Sequence, residues 1–315
     1  MKFSKKKIFL TIGAAVLLLM GGCGKEKKLD ELNITYVKSP LNVPSILEKN
    51  LNIFDKEFEK DGITVKFHNL TTGPEQTQAL AAGELDILHA LGGTSAILAA
   101  SNGVDLKVTN IYSRSPKGFM LLSNDKTLVS PENLRGKKVA GPKGTILHQL
   151  LLAYLAKGNM TADDIEFINM GLPETAAALQ NGTVDAGLLA GPVALGAIKN
   201  GAEVVTNGEG LVEGIIVTAV SSDFLEKYPE IVERFLAVNE KTVKSIDENF
   251  DEVLEVVGKE TGLSKEEVIE MYALYDFNPD IKESDIKELK NTQDFLIQNG
   301  LQEKEIDIEK IIMKK

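Results

Sequence analysis

Residues 136–155, Gly136-Lys-Lys-Val-Ala-Gly-Pro-Lys-Gly-Thr-Ile-Leu-His-Gln-Leu-Leu-Leu-Ala-Tyr-Leu155, decide the fold class of this chain. A short apolar strand runs into a glycine-rich turn, and an amphipathic helix follows with Thr145 at its N-cap position. The start of such a helix presents unpaired N–H groups and a positive dipole end, which suit a carboxylate, sulfonate or phosphate. An ordinary capped helix of an α/β protein explains the same pattern.

Two side chains add charge or polarity to this turn. Lys143 places a full positive charge beside the helix start, and His148 lies in the first helical turn. Because the helix dipole disfavours a proton there, we expect a neutral imidazole that can donate one hydrogen bond.

An internal repeat indicates two lobes of similar plan. Seven positions recur at a constant spacing of 99 residues. The first copy contains Pro74-Glu75, Ala79-Leu80, Gly83, Asp86 and Gly92, and the second contains Pro173-Glu174, Ala178-Leu179, Gly182, Asp185 and Gly191. Each copy is typical of a loop, a helix, a short strand and a second loop, so we predict two α/β lobes with mostly parallel sheets.

Apolar and β-branched runs predict the strands that build these lobes. They lie at 32–38, 63–67, 85–88, 104–112, 118–123, 139–140, 165–168, 184–188 and 215–220. We assign residues 32–114 plus 221–315 to lobe I and 115–220 to lobe II. The segments 112–118 and 212–221 are the expected crossings, and a paired crossing forms a hinge.

Candidate ligand-binding residues cluster in loops that follow strand ends and open helices, where parallel sheets hold their ligands. Helix capping is the competing explanation for the hydroxyl residues among them. The candidates in lobe I are Ser39, Leu41, Asn42, Thr71, Thr72, Gly73, Gly93, Thr94 and Ser95. Those in lobe II are Lys117, Lys143, Gly144, Thr145, His148, Pro173, Glu174, Gly191 and Pro192.

The N-terminus indicates export. Residues 1–22 combine four lysines, an uncharged run and two glycines, the pattern of a signal peptide. Cys23 is the only cysteine, and its position resembles the lipidated cysteine of bacterial lipoproteins; a buried inert cysteine is the alternative. Residues 23–31 then form a tether. Removing residues 1–22 leaves 31 basic and 46 acidic residues, so the mature charge of about −15 argues against nucleic acid as a partner.

Motifs for catalysis, metal binding and cofactor binding are absent from the sequence. The three histidines, His68, His89 and His148, lie at no metal-ligand spacing, and no nucleophile elbow, phosphate loop or dinucleotide fingerprint occurs. Asp86 and Asp185 recur in the repeat, where strand-end aspartates commonly bond a neighbouring loop. We expect no catalytic residue, no metal and no cofactor.

Several stretches resemble the solute-binding proteins of ABC importers for sulfonates, taurine, nitrate and related compounds, the NMT1/THI5-like family. They are Leu134–Ala140, the Lys143-Gly144-Thr145 turn with His148, Ala178–Ala186, and the strand with Ser221 to Pro229. The resemblance implies a type II periplasmic-binding-protein fold, two α/β lobes with a double-crossing hinge that close over one small ligand. It also implies ABC permease subunits with a separate ATPase as partners, a monomer, and a lipid anchor on the extracytoplasmic face of the cell-envelope membrane.

Other functions remain open from the sequence alone. The same family includes binders of thiamine-pyrimidine precursors and other aromatic heterocycles, for which Tyr36, Tyr112 and Phe119 are the aromatic candidates. A signalling receptor lobe is a second alternative. A pyrimidine synthase is a third, although that enzyme uses a cysteine-rich segment that this chain lacks. The identity of the ligand is not specified by any motif.

Overall fold

The computed structural model describes residues 28–38 and 41–314, so the predictions on Cys23 and Ser39 lie outside the described residues. Ten strands form two five-stranded sheets. In chain order they are β1 (Glu31–Thr35), β2 (Thr64–His68), β3 (Ile87–Gly92), β4 (Lys107–Arg114), β5 (Phe119–Ser123), β6 (Lys138–Gly141), β7 (Glu166–Asn169), β8 (Ala186–Ala190), β9 (Glu203–Asn207) and β10 (Ile215–Val220).

The strands of the two sheets are arranged in the same order and with the same relative directions. Their orders are β2-β1-β3-β10-β4 and β7-β6-β8-β5-β9. In each sheet the fourth strand runs antiparallel to both neighbours, and the first three strands pair in parallel. The predicted α/β fold with two mostly parallel sheets is therefore confirmed. The position of β10 corrects the predicted boundary at residue 220: this strand pairs with β3 and β4, so residues 215–220 belong to lobe I.

Thirteen helices within the described residues cover the two sheets, and none of them is long and apolar enough to span a membrane. They are α1 (Val43–Asn50), α2 (Ile53–Phe58), α3 (Gly73–Ala81), α4 (Gly93–Ser101), α5 (Ile146–Lys157), α6 (Leu172–Gln180), α7 (Gly191–Lys199), α8 (Ser222–Lys227), α9 (Pro229–Glu248), α10 (Phe250–Thr261), α11 (Lys265–Tyr272), α12 (Glu283–Gln298) and α13 (Ile308–Ile311).

The C-terminal helices pack on lobe I, the lobe to which the sequence assigns residues 221–315. Helix α10 packs on α1, α12 packs on α4, and α13 lies against β4. A capping box opens α11, where Ser264 and Glu267 bond each other's backbone N–H groups. Gly300, with a φ of +68°, follows the end of α12 in the left-handed conformation that the helix stop requires.

The two crossings between the lobes lie side by side at 115–118 and 208–214. The Gly208 N–H donates to the Pro116 carbonyl (3.0 Å), and the Ser115 N–H donates to the Gly214 carbonyl (3.3 Å). A Cβ on Gly208 would lie 2.4 Å from the Pro116 oxygen, and Gly214 has a φ of +63°. The close approach of the two segments therefore requires glycine at both positions.

Candidate ligand-binding cleft

Three helices begin at the same point between the lobes. Helices α3 and α4 come from lobe I and α5 comes from lobe II. The Ser95 hydroxyl, in the first turn of α4, donates to the Gly144 carbonyl just before α5 at 2.8 Å. A Cβ on Gly73, the first residue of α3, would lie 2.2 Å from Ser95 Oγ, so the start of α3 packs against the first turn of α4. The three positive dipole ends therefore converge.

A cleft with an empty volume of about 590 Å³, part of it open to solvent, lies at this convergence. Both lobes contribute to its walls. The lining residues are Val37, Thr71, Thr72, Gly73, Gln76, Ala90, Gly92, Ser95, Phe119, Pro142, Thr145, Ile146, Leu147, Leu172, Ala190 and Ile216. None of these described residues carries a charged side chain, so an anion in the cleft would depend on helix N–H groups and hydroxyls.

The first turns of α4 and α5 have no side-chain cap. Gly92 has no side chain to cap α4, and the Thr145 hydroxyl donates to the Pro142 carbonyl (2.8 Å) and makes no cap bond to α5. In α3, by contrast, Thr72 Oγ1 accepts from the Glu75 N–H, which leaves the Thr72 hydroxyl hydrogen available to a ligand. The uncapped N–H groups of α4 and α5 suit an anionic group.

Five predicted site residues line the cleft: Thr71, Thr72, Gly73, Ser95 and Thr145. Gly144 contributes the carbonyl that Ser95 bonds across the lobes. Gly93 and Thr94 line a neighbouring crevice at the lobe boundary, where the Thr94 hydroxyl donates to Gln149 Oε1 at 2.6 Å.

The remaining predicted residues are absent from the cleft lining. Leu41 and Asn42 are buried beneath it, with the Leu41 N–H bonded to Tyr275 Oη and Asn42 Nδ2 bonded to the Val37 carbonyl. Two lysines face solvent: Lys117 pairs with Glu209 at 3.0 Å, and the Lys143 backbone N–H donates to Asn169 Oδ1 at 2.8 Å. Pro173 and Glu174 are exposed in the first turn of α6, while Gly191 and Pro192 begin α7 behind the lining residue Ala190.

His148 is buried behind the cleft. Burial, with a smaller contribution from the charge of Lys143, lowers its pKa to about 4. The ring is therefore neutral near pH 7, as predicted, although burial is the larger cause and the expectation named the helix dipole. Its Nδ1 accepts from the Gly144 N–H at 3.4 Å, and its ring centroid lies 4.7 Å from that of Phe167. His148 thus supports the turn before α5.

Most of the cleft wall is apolar, and the sequence patterns did not identify most of these apolar residues as ligand-binding. Apolar strand ends look alike whether they face a core or a cleft, so no signal distinguished Val37, Leu172 or Ile216. Ala90 is unusual because its φ is +81°, a backbone conformation that costs energy outside glycine. Gln76 had a usable signal: it lies one turn after the predicted ligand residue Thr72.

Comparison with known proteins identifies the family. A family model described as NMT1/THI5 like matches residues 58–253. This chain belongs to the NMT1/THI5-like family. One relative, from Bacillus subtilis (strain 168) and named for binding aliphatic sulfonates, is 30% identical over 96% of this chain and 93% of its own length. The taurine-binding periplasmic protein of Escherichia coli (strain K12) is 30% identical over 65% of this chain and 63% of its own.

Solved structures share the fold of this NMT1/THI5-like protein. The alkanesulfonate-binding protein SsuA from Xanthomonas axonopodis pv. citri, bound to MOPS, superposes with a TM-score of 0.82 at 21% identity, covering 91% of this chain and 99% of that one. The desulfurization enzyme DSZB superposes with a TM-score of 0.65 at 17% identity, covering 90% and 96%. The fold is therefore shared with periplasmic binding proteins and with the desulfurization enzyme.

Proposed function

We propose that this protein is a solute-binding lipoprotein that captures a small organic sulfonate between its lobes and delivers it to an ABC permease. The observation that carries the proposal is the convergence of α3, α4 and α5 on a cleft whose described lining has no charged side chain. A relative 30% identical over nearly the whole chain is named for aliphatic sulfonates, which supports the same ligand class.

A sulfonate matches both parts of the cleft. It is a permanent monoanion, and each helix start supplies the equivalent of about half a positive charge together with free N–H donors. The carbon chain of the ligand would lie against Val37, Phe119, Leu172 and Ile216, where apolar burial contributes about 25 cal/mol per Å². The ligand would touch both lobes, so it would stabilise the closed arrangement by its differential affinity.

Cellular placement follows from the same proposal. Residues 1–22 would be removed, Cys23 would carry the lipid, and the segment between Cys23 and strand β1 would tether a monomer to the extracytoplasmic face of the membrane; Glu31, which the sequence assigns to the tether, begins β1. The partner would be a permease with a separate ATPase, which would read the closed lobes. Mass spectrometry of the membrane-bound protein tests this step, since the proposal expects a diacylglyceryl group on Cys23 and no residue before it.

Binding without catalysis is the activity that the cleft supports. No Asp, Glu, His, Lys or Cys occurs among its described lining residues, so a general base or a nucleophilic thiol is missing where a substrate would lie. The fold alone does not separate the two activities, because the desulfurization enzyme shares it. Incubation with a bound sulfonate, followed by an assay for released sulfite, should show no turnover.

Calorimetry and thermal unfolding with a panel of alkanesulfonates, taurine, nitrate, pyrimidines and flavins test the ligand class. A sulfonate at 100 times its dissociation constant should raise the free energy of unfolding by about 2.7 kcal/mol. Thr72→Val removes a hydroxyl at the cleft and should weaken binding about ten-fold. Thr161→Val, at the exposed start of a 3₁₀ turn remote from the cleft, is the matched control and should bind as the wild type does. Preferential binding of a pyrimidine or flavin would contradict the proposal.

A further inference from the structure

Gln76, a residue of the cleft lining, carries an unpaired hydrogen-bond acceptor. It lies one turn into α3, is 2% exposed and belongs to the cleft lining. Its Nε2 donates to the Leu70 carbonyl at 3.1 Å. Its Oε1 is buried and has no hydrogen-bond partner among the described residues. A buried carbonyl oxygen in this state costs free energy unless something donates to it.

The Leu70 carbonyl sets the orientation of the Gln76 side-chain amide. Exchanging the amide oxygen and nitrogen would bring Oε1 against the Leu70 carbonyl, and two acceptors cannot share a hydrogen bond. Nε2 therefore faces Leu70, and Oε1 is the atom without a hydrogen-bond partner.

The other lobe shows how such a position is satisfied when no ligand is involved. Thr175 occupies the position in α6 that matches Gln76, 99 residues further along the repeat. Thr175 is also buried, but its hydroxyl donates to the Gly171 carbonyl at 2.7 Å. The Thr175 hydroxyl of α6 thus has a hydrogen-bond partner within its own lobe, whereas Gln76 Oε1 of α3 has none among the described residues.

We propose that Gln76 Oε1 accepts a hydrogen bond from the ligand, so that the ligand is a short sulfonate carrying an N–H or O–H donor on its carbon chain. This inference rests on the proposed function and narrows its ligand class. A neutral donor such as a hydroxyl fits better than an ammonium group. The described cleft lining offers no carboxylate, and a buried cation without a partner is costly.

Three sulfonates of equal chain length test the proposal by calorimetry on the full mature chain: 2-hydroxyethanesulfonate, ethanesulfonate and taurine. The hydroxyl compound should bind roughly ten-fold more tightly than ethanesulfonate, because ethanesulfonate leaves Gln76 Oε1 unpaired. It should also bind more tightly than taurine. Equal affinities of the hydroxyl compound and ethanesulfonate would overturn the inference and leave sulfonate binding intact. Failure of all three to bind would overturn the proposed function as well.

Variants at Gln76 assign the effect to this residue. Gln76→Met keeps the length of the side chain and removes the acceptor. In this variant 2-hydroxyethanesulfonate and ethanesulfonate should therefore bind with about equal affinity. Gln76→Glu supplies a carboxylate and should shift the preference toward taurine. Gln78→Met, on the exposed face of the same helix, is the control and should keep the wild-type order. A hydroxyl preference that persists in Gln76→Met would contradict the proposal, and the wild-type comparison stands even if that variant does not fold.

Discussion

Ala90 holds a strained backbone at the wall of the cleft. Its φ is +81°, it lines the cavity, and it lies where the pairing of β3 with β10 skips a residue between Leu91 and His89. A β-bulge of this kind re-aims the strand beside a site. The sheet pairing on both sides of the bulge holds Ala90 in a conformation that suits glycine.

Replacing Ala90 by glycine should therefore relieve strain. We expect Ala90→Gly to raise the free energy of unfolding by up to about 1 kcal/mol, because glycine adopts positive φ without the Cβ clash. Urea unfolding measures this change. Ala99→Gly, inside helix α4, is the control and should lower stability by about 1 kcal/mol. Equal destabilisation by both substitutions would show that Ala90 is unstrained.

His148 should make stability depend on acid pH. Its pKa is about 4 in the folded chain and about 6.5 in the unfolded chain, so the unfolded state binds the extra proton between these values. The stabilising effect is complete above pH 6.5 and is lost as the pH falls toward 4. Between pH 7 and 4.5 it should amount to about 2–3 kcal/mol. Denaturant unfolding of wild type and His148→Gln at both pH values should show a smaller loss in the variant; an identical loss would exclude His148 as the cause.

At the scale of elements, the side chain of Gln149 connects a lobe II helix to two lobe I helices. It projects from α5, accepts from the Thr94 hydroxyl of α4 (2.6 Å) and donates to the Thr292 hydroxyl of α12 (3.2 Å). Both bonds are buried. They can form only when the lobes meet, so they contribute to closure.

Removing this connection should weaken ligand binding from outside the cleft. Gln149→Met has a similar length but leaves Thr94 and Thr292 without their partner, so the closed form should lose stability relative to the open form. We expect affinity to fall about 5- to 30-fold and the radius of gyration of the liganded protein, measured by small-angle scattering, to increase. Gln298→Met, exposed at the end of α12, should change neither quantity. Unchanged affinity in Gln149→Met would rule out a role in closure.

The sequence predicted elements better than it predicted the site, and the reason is physical. Nine of the ten strands were predicted from apolar and β-branched runs, because burial in a sheet requires such residues. Strand β9 was missed because it is an edge strand with exposed Glu203 and Val204, which removes the apolar pattern. Which apolar residues line the cleft depends on which strand ends the opposite lobe leaves uncovered. Packing between segments that are distant in the sequence decides this, and no local sequence pattern reports it.

At the scale of the whole molecule, the two lobes differ in which parts of the sequence supply the strands of their sheets. All five strands of the second sheet lie between residues 119 and 207, whereas the first sheet takes β10 from residues 215–220. That strand lies between β3 and β4 and pairs with both. Lobe II is therefore continuous in sequence, and lobe I is not.

Fragments of the chain test this difference. Residues 115–210 should fold alone with a cooperative thermal transition, because they contain all five strands of their sheet. Residues 28–114 should not, since β3 and β4 would lack the strand between them. Circular dichroism and amide hydrogen exchange report both outcomes. A cooperative transition in the 28–114 fragment would contradict the expectation.

The inserted strand also has a consequence for the order in which the lobes can fold. Whether the chain emerges from the ribosome or from an export channel, β1 to β4 come first, and β10 follows about a hundred residues later. All five strands of the second sheet are available before β10, so we expect lobe II to complete its sheet before lobe I does.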